Sequence, residues 1–169
     1  MYEKFGQFID GKWCPSSDKS TYEVINPANE EVIGHASKAT SADVDKALKS
    51  AAKGLEVWKQ TPPWQRSYII RKIADKMREK KDVLAKWMTL EVGKPIAEAK
   101  AEVGGAADIF EWNAEETKRI YGQTVESRFA DTRVHVYYQP IGVVAALTPW
   151  NFPLVLSSRK ISTALAAGC

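Results

Sequence analysis

The spacing of apolar positions changes several times along the chain, and each change marks an element. "FIDGKW" (Phe8 to Trp13) alternates around Asp10-Gly11, a pair suited to a tight turn with positive φ, and predicts a β-hairpin. "YEVINPA" predicts a short strand broken at Asn26-Pro27, because Pro27 has no N–H for a ladder. The period then lengthens. Val44, Ala47, Leu48, Ala51, Leu55 and Trp58 recur at helical spacing behind Thr40 and Asp43, which stand in a capping arrangement. "TPPW" ends that helix. A second helix carries Ile69, Ile70, Ile73, Ala74 and Met77. A third starts near Asp82, buries Leu84, Trp87 and Met88, and stops at Gly93.

Pro95 sits where a first helical turn tolerates proline. From there the pattern predicts a long helix to about Tyr121, closed by Gly122, with Ala99, Val103, Ala107, Phe110 and Ala114 along one face. Gly104-Gly105 in its middle costs about 1 kcal/mol per glycine against alanine, which implies close packing there. "QTVESRFADTRVHVYYQP" alternates in β fashion about a turn near Ala130-Asp131. It reads as a protruding two-stranded arm, which needs something to pack on, such as a partner subunit. Ile141 to Leu147 is a continuous apolar run, the mark of a strand buried on both faces of a parallel sheet. A helix with Pro153 in its first turn follows. Strand, tight loop and helix open an α/β crossover, and ligands of such sheets lie beyond the carboxyl ends of the strands.

Composition narrows the function classes. The 169 residues fit one domain, with 44% hydrophobic and 27% charged content. Net charge is +3 with basic and acidic residues interleaved, which argues against nucleic-acid binding. Met1 to Trp13 has no apolar core of a leader, and no window approaches the roughly 20 apolar residues of a membrane span. Two cysteines, Cys14 and Cys169, make no disulfide framework, so a reducing cytoplasm is expected. No phosphate-cradling glycine motif is present. His35 and His135 lack companions at ligand spacing and read as structural, so no metal is expected.

The loop "TPWNFP" carries the candidate chemistry. Asn151 donates two N–H bonds without charge, which suits an oxyanion hole, and Pro149 and Pro153 restrict its backbone. The alternative is a helix-capping Asn151. Along the following helix, Phe152, Val155, Leu156 and Arg159 share one face. Side chains tilt toward the N-terminus, so Arg159, about 10 Å along the axis, reaches back toward the loop. On that face it either grips a carboxylate with a bidentate fork or forms a surface ion pair.

The chain resembles the N-terminal third of an aldehyde dehydrogenase. "FIDGKW", "VINPANEEVIG", "SADVDKAL", "TLEVGKPIAEAKAEV", "EWNAEETKRIYG", "QPIGVVAALTPWNFPL" and "RKISTALAAGC" carry the resemblance over its whole length. It implies an α/β fold: the N-terminal part of a Rossmann-type cofactor domain, with a hairpin and helices over residues 1–122, an oligomerisation ribbon over 123–139, and the first strand-loop-helix over 140–169. It implies oxidation of an aldehyde to an acid with NAD or NADP, through a cysteine thiohemiacetal. By resemblance Asn151 is the oxyanion-hole asparagine and Lys160 relays protons. Leu147, Thr148, Pro149, Trp150 and Asn151 contact the nicotinamide half of the cofactor, and Phe152, Val155, Leu156 and Arg159 line the substrate tunnel.

Arg159 is similar to the arginine of succinate-semialdehyde dehydrogenases, with lactaldehyde, glycolaldehyde or broad-specificity enzymes as the alternative. The nucleophilic cysteine, the general-base glutamate and the lysine-proline segment at the adenosine ribose have no match up to Cys169. The 169 residues alone are therefore expected to be inactive. The reading of another class is a non-catalytic oligomerisation module, and in either case a homodimer or homotetramer through the ribbon is expected.

Overall fold

A computed structural model describes residues 6–169. Met1 to Phe5, part of the stretch read as lacking a leader core, lie outside the described residues. The order is β1 (Gln7–Ile9), β2 (Lys12–Cys14), β3 (Thr21–Ile25), β4 (Val32–Ser37), α1 (Ser41–Trp58), α2 (Pro63–Glu79), α3 (Lys81–Val92), α4 (Ile96–Glu116), β5 (Gln123–Glu126), β6 (Arg133–Val136) and α5 (Pro153–Ala167). The strands form three separate antiparallel pairs, β1 with β2, β3 with β4, and β5 with β6.

The expected hairpin is present, with Phe8 opposite Trp13 and positive φ at both Asp10 and Gly11. Thr40 and Asp43 form the expected capping box of α1. Asp43 does more than cap. Its carboxylate also accepts from the Ser17 amide at 3.1 Å and from the Gln7 side chain, tying the hairpin and its following loop to the helix. The Thr40 amide, then that of Ser17, holds the Asp43 carboxyl well below the usual carboxylate range. Gly93 takes the left-handed conformation that ends α3.

The core forms around α4. Ala99, Val103, Ala107, Phe110 and Ala114 are all buried, as their period predicts, and α2, α3 and α5 pack on this helix. Ile70, Ala74 and Met77 of α2 join Ala106, Ala107 and Phe110 of α4 and Ala166 of α5 in one cluster. On the outer side Arg71 pairs with Glu111 and Glu115, and Arg78 with Asp108 and Glu111, aligning α2 with α4. Lys118, then Arg71, brings the Glu115 carboxyl down to about 2. These pairs are half exposed and contribute little stability each.

Four expectations change. The long helix stops at Glu116 and continues as a 3-10 turn over Thr117–Arg119, where the Thr117 hydroxyl bonds back to the Asn113 carbonyl at 2.7 Å. Gly122 therefore does not cap it. A Cβ there would lie 2.4 Å from the Val136 carbonyl oxygen, so this glycine lets the base of the β5–β6 ribbon close. Gly104 and Gly105 are not forced by packing. A Cβ on Gly105 would meet Val155 at 3.9 Å, ordinary contact, and on Gly104 the Lys81 ammonium at 4.0 Å. Finally, Ile141 to Leu147 enters no ladder, and Ile141 and Leu147 are 93% and 81% exposed. The apolar run predicts a doubly buried strand, but no other strand among the described residues runs beside it. Its Val143, Val144 and Ala146 instead line a groove of about 390 Å³ with Leu55 and Trp58 of α1 and Ile161 and Leu165 of α5.

Two predictions follow from these elements. A depressed Asp43 carboxyl stabilises the fold fully above its unfolded value of about 4, and that stabilisation is lost as pH falls through the native value. Asp43→Asn is expected to lower the melting temperature at neutral pH and to flatten the acid limb of a stability–pH profile. Gly104→Ala is expected to stabilise the chain by about 1 kcal/mol in denaturant titration, since the helix gains propensity and nothing is displaced.

Candidate active site

The candidate loop spans Leu147 to Phe152 and feeds directly into α5. Pro153 occupies the first helical position, where its fixed φ suits the turn and its missing N–H costs nothing. Phe152 stands at the N-cap with no side-chain cap bond. The capping alternative for Asn151 is thus not what the structure shows.

The amides of the first turn are satisfied from another helix. Glu102, in the middle of α4, directs its carboxylate at the start of α5. Its Oε1 accepts from the Leu154 and Val155 amides at 3.0 and 3.2 Å. This places a negative charge against the positive end of the α5 dipole. The Glu102 side chain is 2% exposed and is ion-paired with Lys94, in the loop between α3 and α4, whose side chain is 9% exposed. Lys94 Nζ also donates to the Asn151 carbonyl at 3.2 Å and lies 3.9 Å from the centroid of the Phe152 ring. The loop main chain is therefore pinned from the inside.

Asn151 itself faces outward. It is exposed, and its side-chain amide has no hydrogen-bond partner among the described residues. Leu147, Thr148, Pro149 and Trp150 are exposed beside it. The predicted substrate wall divides. Phe152 is half exposed over Lys94, and Leu156 is half-buried. Val155 turns inward to the α4–α5 seam, packed on the core opposite Gly105. The reason is angular: residues 152 to 159 spread over more than one side of the helix, and α4 takes the side holding Leu154, Val155 and Ser158. Arg159 is exposed and forms no ion pair among the described residues, so the surface-pair alternative is not realised there. Lys160, about 100° further round, lines the groove with Val143, Val144 and Ala146.

Neither cysteine is at this loop. Cys14 lies in β2, its thiol directed at the Gln7 carbonyl, and Cys169 follows the far end of α5, about 22 Å along a helix of 15 residues. His135 bonds Thr124 across the ribbon. No three His, Cys, Asp or Glu side chains gather at metal-binding distance among the described residues. No helix among them is long and apolar enough to cross a membrane.

Sequence reasoning missed Lys94 and Glu102. The available signal was register: Glu102 falls between Ala99, Val103 and Ala106, on the buried side of α4, where a carboxylate needs a reason to be.

The exposed strip from Leu147 to Asn151 offers apolar side chains and backbone donors, which fits the nicotinamide end of a dinucleotide. Nothing among the described residues forms a cradle for its phosphates. A glutarate-semialdehyde dehydrogenase of Pseudomonas aeruginosa is 45% identical over 162 residues, covering 96% of this chain and 34% of the relative. A succinate-semialdehyde dehydrogenase of Escherichia coli, NADP(+)-type by name, is 45% identical over 95% of this chain and 33% of its own length. The chain thus spans about a third of the curated relatives it matches. Among solved structures, an E. coli NADP-dependent enzyme superposes with a TM-score of 0.94 at 45% identity, over 95% of this chain and 34% of that one. A betaine aldehyde dehydrogenase from Staphylococcus aureus in complex with NAD+ gives 0.94 at 37% identity, over 98% and 34%. A family match that starts at Trp13 and runs through the pinned loop to Cys169 makes this chain a member of the aldehyde dehydrogenase family.

Proposed function

We propose that the protein oxidises an aldehyde to a carboxylic acid with NAD or NADP, and that its substrate is the semialdehyde of a short dicarboxylic acid, succinic semialdehyde foremost. The observation that carries this reading is Asn151: its main chain is held from behind while its side-chain amide is exposed and uncommitted. A neutral donor so placed stabilises negative charge as it grows on a former aldehyde oxygen, with no reorganisation at the moment of reaction. Leu147 to Asn151 would hold the nicotinamide, which would supply the hydride acceptor. Phe152 and Leu156 border the substrate path, Lys160 serves the proton relay, and Arg159, uncommitted to any carboxylate among the described residues, binds the distal carboxylate of the substrate. The names of the semialdehyde dehydrogenase relatives support that choice.

The nucleophile is neither Cys14 nor Cys169, since both lie away from the loop. Residues 123–139 form the oligomer contact, supported by the exposed Val125, Phe129 and Tyr137 of this ribbon.

The test is nicotinamide reduction by the full-length protein with succinic semialdehyde. Asn151→Ala is expected to lower the acylation rate by roughly 10²–10³ while leaving the melting temperature unchanged, because the side chain has no protein partner. An intact rate overturns the reading. Arg159→Leu is expected to raise KM roughly ten- to hundredfold for acid-bearing aldehydes alone. Equal effects on neutral aldehydes would remove the semialdehyde assignment.

A further inference from the structure

The α5 N-terminus is capped in an unusual way. A serine, threonine or aspartate at position 152 would satisfy the same amides locally. Phe152 stands there instead, and the cap is a carboxylate sent across from α4 with a lysine of its own. Burying such a pair is costly: desolvation of both ions offsets much of their attraction, so the pair is a poor device for stability alone. What it supplies is position. Its third contact makes the point. Lys94 to the Asn151 carbonyl satisfies no helix amide and lies outside the capping role, yet it holds the residue whose side chain faces outward.

Resting on the catalytic role proposed for Asn151, we propose that Lys94 and Glu102 are positioning residues for the oxyanion hole. Together they fix the main chain of Asn151 relative to α4, so that its amide stays aimed at the reacting oxygen. Neither touches the substrate. Glu102 sets the start of α5 through the Leu154 and Val155 amides, and Lys94 joins that anchor to the Asn151 carbonyl. Phe152 closes the arrangement, its ring face against the ammonium, so the cation is held from two sides. Helix α4 is a fitting base, because the neighbours of Glu102 on its inner face, Ala99, Val103 and Ala106, are fully buried and leave it little freedom.

The experiment separates position from stability in the full-length protein. Lys94→Met leaves a buried carboxylate unpaired and is expected to lower both the melting temperature and kcat. Adding Glu102→Gln removes that charge while keeping an amide oxygen for the two helix N–H groups. The double variant is expected to regain most of the melting temperature. Its kcat for succinic semialdehyde stays roughly ten- to hundredfold low, the scale of a 1 Å misplacement, and the KM of the aldehyde is unchanged. In an Asn151→Ala background the kcat effect of Lys94→Met is expected to vanish, because both act on one interaction. Recovery of kcat along with stability, or a Lys94→Met effect undiminished without the Asn151 side chain, overturns the proposal. If the wild-type protein reduces no cofactor, the functional reading fails by itself. The positional claim is then decided by the carbonyl carbon resonance of Asn151, which moves in Lys94→Met if the contact exists and does not if it is absent.

Discussion

The architecture depends on how closely other helices can approach α4. Ala99, Ala106, Ala107 and Ala114 are fully buried on it, and small side chains let α2, α3 and α5 come close. Larger residues, Val103 and Phe110, fill the space between these approaches. Close approach has a second effect: it brings the middle of α4 within hydrogen-bond reach of the first turn of α5. The same packing that builds the core therefore brings a carboxylate to the start of α5, beside the candidate loop. A bulkier face on α4 would move α5 outward and break that reach before it unfolded anything.

Charge is used in two ways on the two sides of α4. Outside, Arg71 and Arg78 meet Asp108, Glu111 and Glu115 in a half-exposed ladder that salt screens. Inside, Lys94 and Glu102 are almost free of water, and screening hardly touches them. The outer ladder biases the alignment of α2 on α4. The inner pair fixes a particular atom, the Asn151 carbonyl oxygen, relative to a particular helix. Among the described residues, Lys94–Glu102 is thus an ion pair with both side chains almost fully buried.

Local chemistry was legible in the sequence wherever the deciding contacts are local. Asp10-Gly11, the Thr40–Asp43 box, Gly93, Pro153 and the buried period of α4 all act within a few residues of themselves. The long α4 was over-extended because apolar periodicity does not register where an α-helix tightens into the 3-10 turn of Thr117–Arg119. Gly122 was assigned to a helix when its neighbour in space, Val136, comes from the ribbon. At the candidate site, a helical wheel could not say which side of α5 would meet α4, and Val155 is partly buried against the core. Glu102 and Lys94 escaped because a charged residue on a helix is ordinarily read as solvated; only register among alanines distinguished it.

Among the described residues, the run from Ile141 to Leu147 pairs with no strand, and Ile141 and Leu147 are bare. A continuous apolar run of this kind suits a strand with neighbours on both sides. A strand paired there would end within a few residues of Asn151, so its register would bear on the same loop that Lys94 holds from the other side.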